Sequence, residues 1–599
     1  MARSAKPTRE PVRVRRGATS PRRVDTRLVV LGVLAVIVAA IAPYLGALGN
    51  DFVWDDLNLI VHDDELGSSH GVWHRLGQDF FAAGRDPSAA GYWRPLITLS
   101  FALDRAVWGL RPWGYHLTSL LLHAACAVLA VLLVRTITST LWPALATGVL
   151  FALHPMHVEN VVFVSGRTDL VAALMGGLAM LSHLVGSRRA DSPQRVEMHR
   201  GRWLQAMAVV LFALALLAKE MAVVMIAWLA VIHLVVERRG WRQSAALVTP
   251  LVLVTAAYLT VRLLVLGIGL PEPGSVRLSQ VLMTLPATLA RYLSWLVLPT
   301  SLHGFVQNPP VSSLASIRVV LGLVVMAAAA GGLAVTWKRS RPMFAMGAMS
   351  LLALAPLFHV APIKSPPDMG LVMAERFLYF PSLPFLALLA LLAASVGELL
   401  SARVRRVLGV AVTLVVVAWW SAMIVGRIPD WHDDVSFFTA ALRDAPDSPT
   451  VVANLANAYV ERADFTRAAA VLNNAPEVVR QEQPVRLAQA QVLAAQGRFP
   501  DAMAVMESVV STRWPGDQRA RNNLACLYRM TGKLAEALAM LEELIREGNE
   551  LPETHVNTVE AYRARGDLPQ AIEACRRGLA RFPQDPSLQV LCRGAWAAR

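Results

Sequence analysis

Two adjacent carboxylates, Asp55 and Asp56, follow Phe52-Val53-Trp54 where the first long apolar stretch of the chain ends. A carboxylate fixed against a hydroxyl can take its proton as that oxygen attacks an electrophile. The same pair also fits a helix cap or a solvated turn. Further ionisable residues stand at the ends of later apolar stretches: Arg94, His154, His157, Glu159, Arg167, Asp169, Lys219, Glu220, Lys364, Glu375 and Arg376. Charge at membrane depth is costly unless it faces a polar cavity or a partner. Arg167, Lys219 and Arg376 can clamp a phosphate leaving group, guanidinium best because it binds in bidentate fashion. The chemistry these residues can do together is a displacement. A carboxylate deprotonates an acceptor hydroxyl while cations receive a lipid-borne phosphate. Asp55 lies closer to the membrane exit and is favoured as the base.

Other constellations are more ambiguous. His154-Pro155-Met156-His157-Val158-Glu159 has two histidines three apart and then a carboxylate. It fits a divalent metal site, a pair (His157 and Glu159) positioning an acceptor or phosphate, or interfacial packing. A helix starting after Pro155 could offer N–H groups to a phosphate. Lys219-Glu220 fits a neutral ion pair at a span junction as well as a substrate contact. Asp63-Asp64-Glu65 reads as a solvated acidic turn.

The elements that must carry these residues follow from composition. The chain has 599 residues, 55% hydrophobic and 17% charged, with a mean hydropathy of +0.45. The apolar excess lies before residue ~430, in runs approaching the ~20 residues that cross a bilayer. The expected fold is therefore all-α: a polytopic helical membrane domain followed by a soluble helical domain. Residues 1–27 read as a disordered basic cytoplasmic tail, 28–428 as the membrane domain with a large first outer loop at 49–114, and 429–599 as the soluble part. The net charge of +14 comes from basic residues in short loops and the tail, where they set topology, so no nucleic-acid partner is implied. Arginine far outnumbers lysine, which suggests a GC-rich bacterial genome. The pattern gives eleven spans between Leu28 and Val425. Val281 to Leu298 carries Arg291 and Pro286, with Pro299 just beyond it, and is expected to re-enter or lie in the membrane plane. If it crossed, the spans would number twelve and the C-terminal domain would be cytoplasmic. Around Val72–Phe81 and Trp93–Trp108 the outer loop should lie at the interface, with Trp73, Trp93, Trp108 and Trp113 at headgroup depth.

Past Asp430 a period appears. Ala463-Asp464-Phe465, Gly497-Arg498-Phe499, Gly532-Lys533-Leu534 and Gly566-Asp567-Leu568 recur every 34 or 35 residues, with Ala468, Ala502, Ala537 and Ala571 after them. This resembles tetratricopeptide repeats, four units of helix–turn–helix whose concave face holds a peptide or partner. Cys575 and Cys592 can pair if this part lies outside the cell, which spacing alone does not decide.

The order of the motifs carries a further resemblance. Phe52-Val53-Trp54-Asp55-Asp56, Trp93-Arg94-Pro95-Leu96, Gly114-Tyr115-His116-Leu117-Thr118, His154 to Glu159, Ser165-Gly166-Arg167-Thr168-Asp169, Lys219-Glu220 and Glu375 to Ser382, followed by Trp431 and the repeats, resemble the transmembrane and tetratricopeptide-repeat containing O-mannosyltransferases and their bacterial relatives. The resemblance runs from about Asn50 to the C-terminus. It implies a GT-C glycosyltransferase with an acidic motif in the first outer loop and a polyprenyl- or dolichyl-phosphate sugar donor. Asp55 or Asp56 is then the base, and mannose on Ser or Thr of an exported protein the product. The expected setting is the bacterial inner membrane, with repeats in the periplasm. Alternative readings are a ligase or polymerase of lipid-linked oligosaccharides, and a non-enzymatic membrane-tethered scaffold. The short Phe358–Arg376 loop argues against the first, and the acidic pair against the second.

Overall fold

The computed structural model describes residues 26–82, 91–269, 276–358, 368–513, 516–548, 551–583 and 585–597. Most of the N-terminal tail, and Lys364, lie outside the described residues. Among the described residues the regular secondary structure is helical, with one isolated bridge between Asn308 and Gly370. Among the described residues nine helices are long and apolar enough to cross a membrane, and two shorter apolar ones, Trp142–Leu153 and Glu220–Val236, occupy the remaining expected positions. The first of these is only 12 residues long, about 18 Å at the helical rise. It continues through the turn Pro155–His157 into the short helix Val158–Val162. Pro155 removes a backbone donor and breaks the helix there.

Three long helices, Pro112–Thr138, Val164–Ala190 and Glu375–Glu398, are mostly enclosed. Ile317–Arg339 and Ala402–Arg427 instead turn Leu321, Val324, Val335, Val407, Val410 and Leu414 outward. Such apolar walls suit lipid, which satisfies no backbone polar group but matches these side chains. Helix Pro95–Trp108 in the first outer loop exposes Leu99, Leu103 and Val107 on one face, the i, i+4, i+8 stripe of an interfacial helix. Trp73 is 75% and Trp113 41% exposed. Trp93 is tied inward, its Nε1 donating to Leu76 O at 2.8 Å.

Which ends share a face follows from contacts. The segment after the first helix is bound to the linker that follows the last: Asp51 N–H donates to His432 O at 2.8 Å, and Asn50 Nδ2 to Trp431 O at 2.9 Å. The repeats therefore begin on the face where the first helix ends. Helix Leu278–Val297 has both flanks on this face. Before it, Tyr258 donates to Trp93 O at 3.3 Å, and Arg262 donates to Gly91 O and Gly269 O. After it, His303 pairs with Asp444 at 2.8 Å. The chain then doubles back along the helix, with Arg291 Nη1 on Gln307 O at 2.7 Å and Val311 N–H on Thr284 Oγ1 at 2.8 Å. A segment entering and leaving on one face does not cross. Cysteines at Ser68→Cys and Ser312→Cys are expected to react with an impermeant maleimide from the same side of the membrane, and Ser401→Cys only from the other. Labelling of the last two from one side would break this topology.

The C-terminal part is a solenoid of four helix pairs: Pro449–Glu461 with Phe465–Asn474, Gln483–Ala495 with Phe499–Ser508, Gln518–Met530 with Leu534–Arg546, and Pro552–Arg565 with Leu568–Arg581. Helices Asp434–Asp444 and Pro586–Ala597 flank them. Ala468, Ala502, Ala537 and Ala571 are fully buried where paired helices approach. Gly497, Gly532 and Gly566 take φ of 75°, 81° and 82° at the turns, and Ala463 takes 56° in the first. Glycine adopts that left-handed angle without strain. Cys575 and Cys592 are joined by a disulfide.

Candidate functional site

The residues around Asp55 are held from both sides. Upstream, Trp54 sits at φ 53°, an angle a bulky residue adopts at a cost of about 1–3 kcal/mol. Its N–H donates to Asp434 Oδ1 at 2.7 Å. Its ring stacks on Phe437 at 5.3 Å and on Phe163 at 6.3 Å between centroids. Downstream, Asp56 is 1% exposed. Its Oδ2 accepts from Val53 N–H at 3.2 Å, and its Oδ1 from Ser165 N–H at 2.7 Å and from the Ser165 hydroxyl. Burial pushes its carboxyl up to about 7 against those donors. Asp56 thus fastens the outer loop to the turn Val164–Gly166. Gly166 is required in that turn, since a Cβ there would lie 2.6 Å from Glu159 O.

Asp55 differs from its neighbour. It is half-buried, and among the described residues its carboxylate accepts no hydrogen bond and forms no ion pair. Burial raises its pKa above the ordinary carboxylate value; Arg376 opposes the rise, Glu159 adds to it, and Arg94 opposes it. A partly desolvated carboxylate with unspent lone pairs is a stronger base than one in water.

Around Asp55 lies a lattice of opposite charges drawn from distant parts of the chain. Glu159, fully buried, accepts the Arg376 N–H at 2.9 Å and its Nη1. Lys219 Nζ donates to both oxygens of Asp169 at 2.7 Å and lies 5.2 Å from the centre of the Phe377 ring. Arg94 Nη2 pairs with Glu220 Oε2 at 3.2 Å, and Arg262 approaches the other Glu220 oxygen at 3.9 Å. The Arg94 guanidinium covers the Tyr92 ring at 4.5 Å. These pairs neutralise the wall but do not exhaust it. Among the described residues no protein acceptor meets Nε or Nη2 of Arg376, or Nη1 of Arg94. The Arg376, Arg94 and Glu220 side chains keep 22%, 12% and 26% of their surface open. Guanidinium donors left over on Arg376 and Arg94, both close enough to act on the Asp55 carboxylate, suit a phosphate oxyanion.

The structure places the other candidates differently. Arg167 is fully enclosed. It pairs with Asp104 at 2.6 Å and donates to Ser119, Ser100 and Tyr115 O. That position ties helices together and leaves the guanidinium fully enclosed. His154 bonds Leu296 O at 3.2 Å and packs on Trp420. His157 bonds Phe151 O at 2.8 Å and Ser382 Oγ at 3.0 Å. Both are buried packing residues, and among the described residues no three His, Cys, Asp or Glu gather as a metal-ligand set. Glu375 is buried against Arg427 at 2.9 Å. Asp63 is not a solvated turn residue: it is buried and holds Arg75 Nε at 3.0 Å.

Three residues of this region escaped the sequence. Arg262, a charge closing an apolar span, carried the signal that usually marks a polar cavity. Asp104, on an otherwise apolar helix face, carried a weaker one. Asp434, in a run of acidic linker residues, carried none.

Family models described as Tetratricopeptide repeat match residues 435–492 and 528–593, and 487–552. The protein O-mannosyl-transferase Tmtc2 of Drosophila melanogaster is 39% identical over 184 residues, 30% of this chain and 19% of the relative. The human protein O-mannosyl-transferase TMTC4 is 25% identical over 502 residues, 73% of this chain and 64% of the relative. The first relatives are thus matched over only about a fifth of their own length. Among solved structures, ArnT from Cupriavidus metallidurans bound to undecaprenyl phosphate overlaps with a TM-score of 0.31 at 14% identity, over 92% of this chain and 79% of that one. The Archaeoglobus fulgidus oligosaccharyltransferase tethered with an acceptor peptide overlaps with a TM-score of 0.39 at 12% identity, over 71% and 58%. By sequence, the chain is similar to protein O-mannosyl-transferases and ends in tetratricopeptide repeats.

Proposed function

We propose that this protein transfers a sugar, mannose by similarity to its relatives, from a polyprenyl phosphate to Ser or Thr hydroxyls of exported proteins. The observation that carries this is the Asp55 carboxylate, which accepts no hydrogen bond among the described residues and lies within electrostatic reach of Arg376 and Arg94. Asp55 takes the proton of the acceptor hydroxyl. The hydroxyl oxygen bonds the anomeric carbon from one face as the bond to the phosphate oxygen breaks on the other, so configuration inverts. The polyprenyl phosphate leaves with its negative charge against Arg376 and Arg94, and needs no strong acid. The repeats, which begin against Trp54, hold the acceptor polypeptide.

The membrane is read as a bacterial inner membrane, with Asp55 and the repeats on the periplasmic side. The opposite face carries Arg188, Arg189, Arg195, Arg200, Arg202, Lys338, Arg339, Arg341, Arg403, Arg405 and Arg406, as the positive-inside rule requires of a cytoplasmic face. The disulfide in the last repeat also favours an oxidising compartment. The experiment is an intact-mass comparison of exported proteins from cells with and without this chain. Hexose-sized losses are expected, and identical masses would count against the reading.

The base sets the pH dependence. Asp55 must be ionised to act, and its folded value lies above the ordinary carboxylate range. The rate kcat/KM should therefore fall on the acid side at a higher pH than an exposed aspartate would give. Arg376 opposes the rise, so Arg376→Gln should move that limb to still higher pH. A limb that stays put, or moves down, would exclude Asp55 as the titrating group.

A further inference from the structure

Asp55 sits between two fixed points contributed by different domains. The one after it, Asp56 on Ser165, belongs to the membrane domain. The one before it belongs to the repeat domain. Asp434, at the start of the first helix beyond the membrane, accepts the Trp54 N–H at 2.7 Å, and Phe437 and Phe438 of the same helix pack on the Trp54 ring. Trp54 is held at φ 53° without the glycine that would adopt it freely. An extended backbone at this point would redirect the next residue, and that residue is Asp55. Asn50 and Asp51, bonded to the linker at Trp431 and His432, secure the approach to the same turn.

We propose that Asp434 is a positioning residue of the active site: through the Trp54 N–H it holds the turn that aims Asp55 at the substrate, so the repeat domain completes the catalytic corner as well as holding an acceptor. The proposal rests on the transferase reading of Asp55, but its central contact can be tested apart from activity. The full-length protein in detergent is compared with Asp434→Asn, which keeps an oxygen acceptor, and Asp434→Ala, which does not. Asp434→Leu fills the same space without an acceptor and serves if the alanine variant fails to accumulate. Hydrogen exchange of the peptide covering residues 50–57 should rise at least tenfold in Asp434→Ala or Asp434→Leu and stay near wild type in Asp434→Asn. In transfer of labelled mannose from polyprenyl phosphate to a Ser/Thr peptide, kcat should fall at least tenfold in the variants without an acceptor. KM for the peptide should hold, and Asp434→Asn should remain within about threefold of wild type. Unchanged exchange and kcat in Asp434→Ala, or equal damage in Asp434→Asn, would overturn the proposal. If wild type transfers no sugar at all, the transferase reading fails, while the exchange arm still decides whether Asp434 holds the turn.

Discussion

Asp55→Asn is expected to lower sugar transfer by about 10²–10⁴-fold, the contribution of a positioned general base, with the folded protein accumulating normally. Among the described residues, the substitution removes a carboxylate that no protein donor occupies. The amide that replaces it would fill the same volume and leave the Arg376–Glu159 and Arg94–Glu220 pairs in place. Loss should therefore appear in kcat, with donor binding little changed. Asp56→Asn is expected to act differently. Asp56 accepts three hydrogen bonds, from Val53 and twice from Ser165. An amide can replace the carboxylate toward Ser165 but presents an N–H₂ to the remaining donor, the Val53 N–H. A buried donor left unsatisfied costs about 1–3 kcal/mol, so this variant should show lower thermal stability and a smaller loss of kcat. The opposite pattern, with Asp56→Asn inactive but stable and Asp55→Asn active, would exchange the roles of the two aspartates.

Arg167→Ala is expected to be the most destabilising single substitution in the membrane domain. The guanidinium is fully buried, and its partner Asp104, 2.6 Å away, would remain as an uncompensated buried charge. Breaking such a pair typically costs about 3–5 kcal/mol, whereas replacing both partners with apolar residues of similar volume is close to neutral. The double variant Arg167→Met/Asp104→Leu should recover most of the thermal stability lost by Arg167→Ala, and most of the activity with it. Unfolding in detergent, followed for wild type and both variants, measures this directly. If Arg167 instead bound the donor phosphate, the double variant would be stable but inactive.

Much of the architecture was legible because it rests on local periodicity. Runs near ~20 apolar residues announced the spans, and Gly497, Gly532 and Gly566 announced the repeat turns through the angle only glycine takes freely. Parity favoured a Val281 to Leu298 segment that does not cross, since it places Lys338 and Arg339 opposite the first long loop. The site was legible only as a set of residue types. Which charge meets which depends on contacts across large separations: Glu159 with Arg376, 217 residues apart, and Lys219 with Asp169, 50 apart. No local pattern encodes these. Arg167 and Arg376 therefore read alike, although one is enclosed against Asp104 and the other keeps donors that no described residue accepts. His154 and His157 looked like ligands because their spacing fits a helix face, but the break at Pro155 turns both rings toward backbone carbonyls. Asp434 was invisible because its partner is a main-chain N–H, and every residue but proline has one.

The central claim is a base-assisted displacement onto a protein hydroxyl. It is tested most directly by reconstituting the purified full chain with an isotopically labelled polyprenyl-phosphate mannose and a Ser/Thr peptide, and reading the product by mass and by the anomeric signal. One hexose per modified hydroxyl is expected, with configuration inverted relative to the donor, and loss of that product in Asp55→Asn. Retention of configuration, or undiminished transfer by Asp55→Asn, would contradict it.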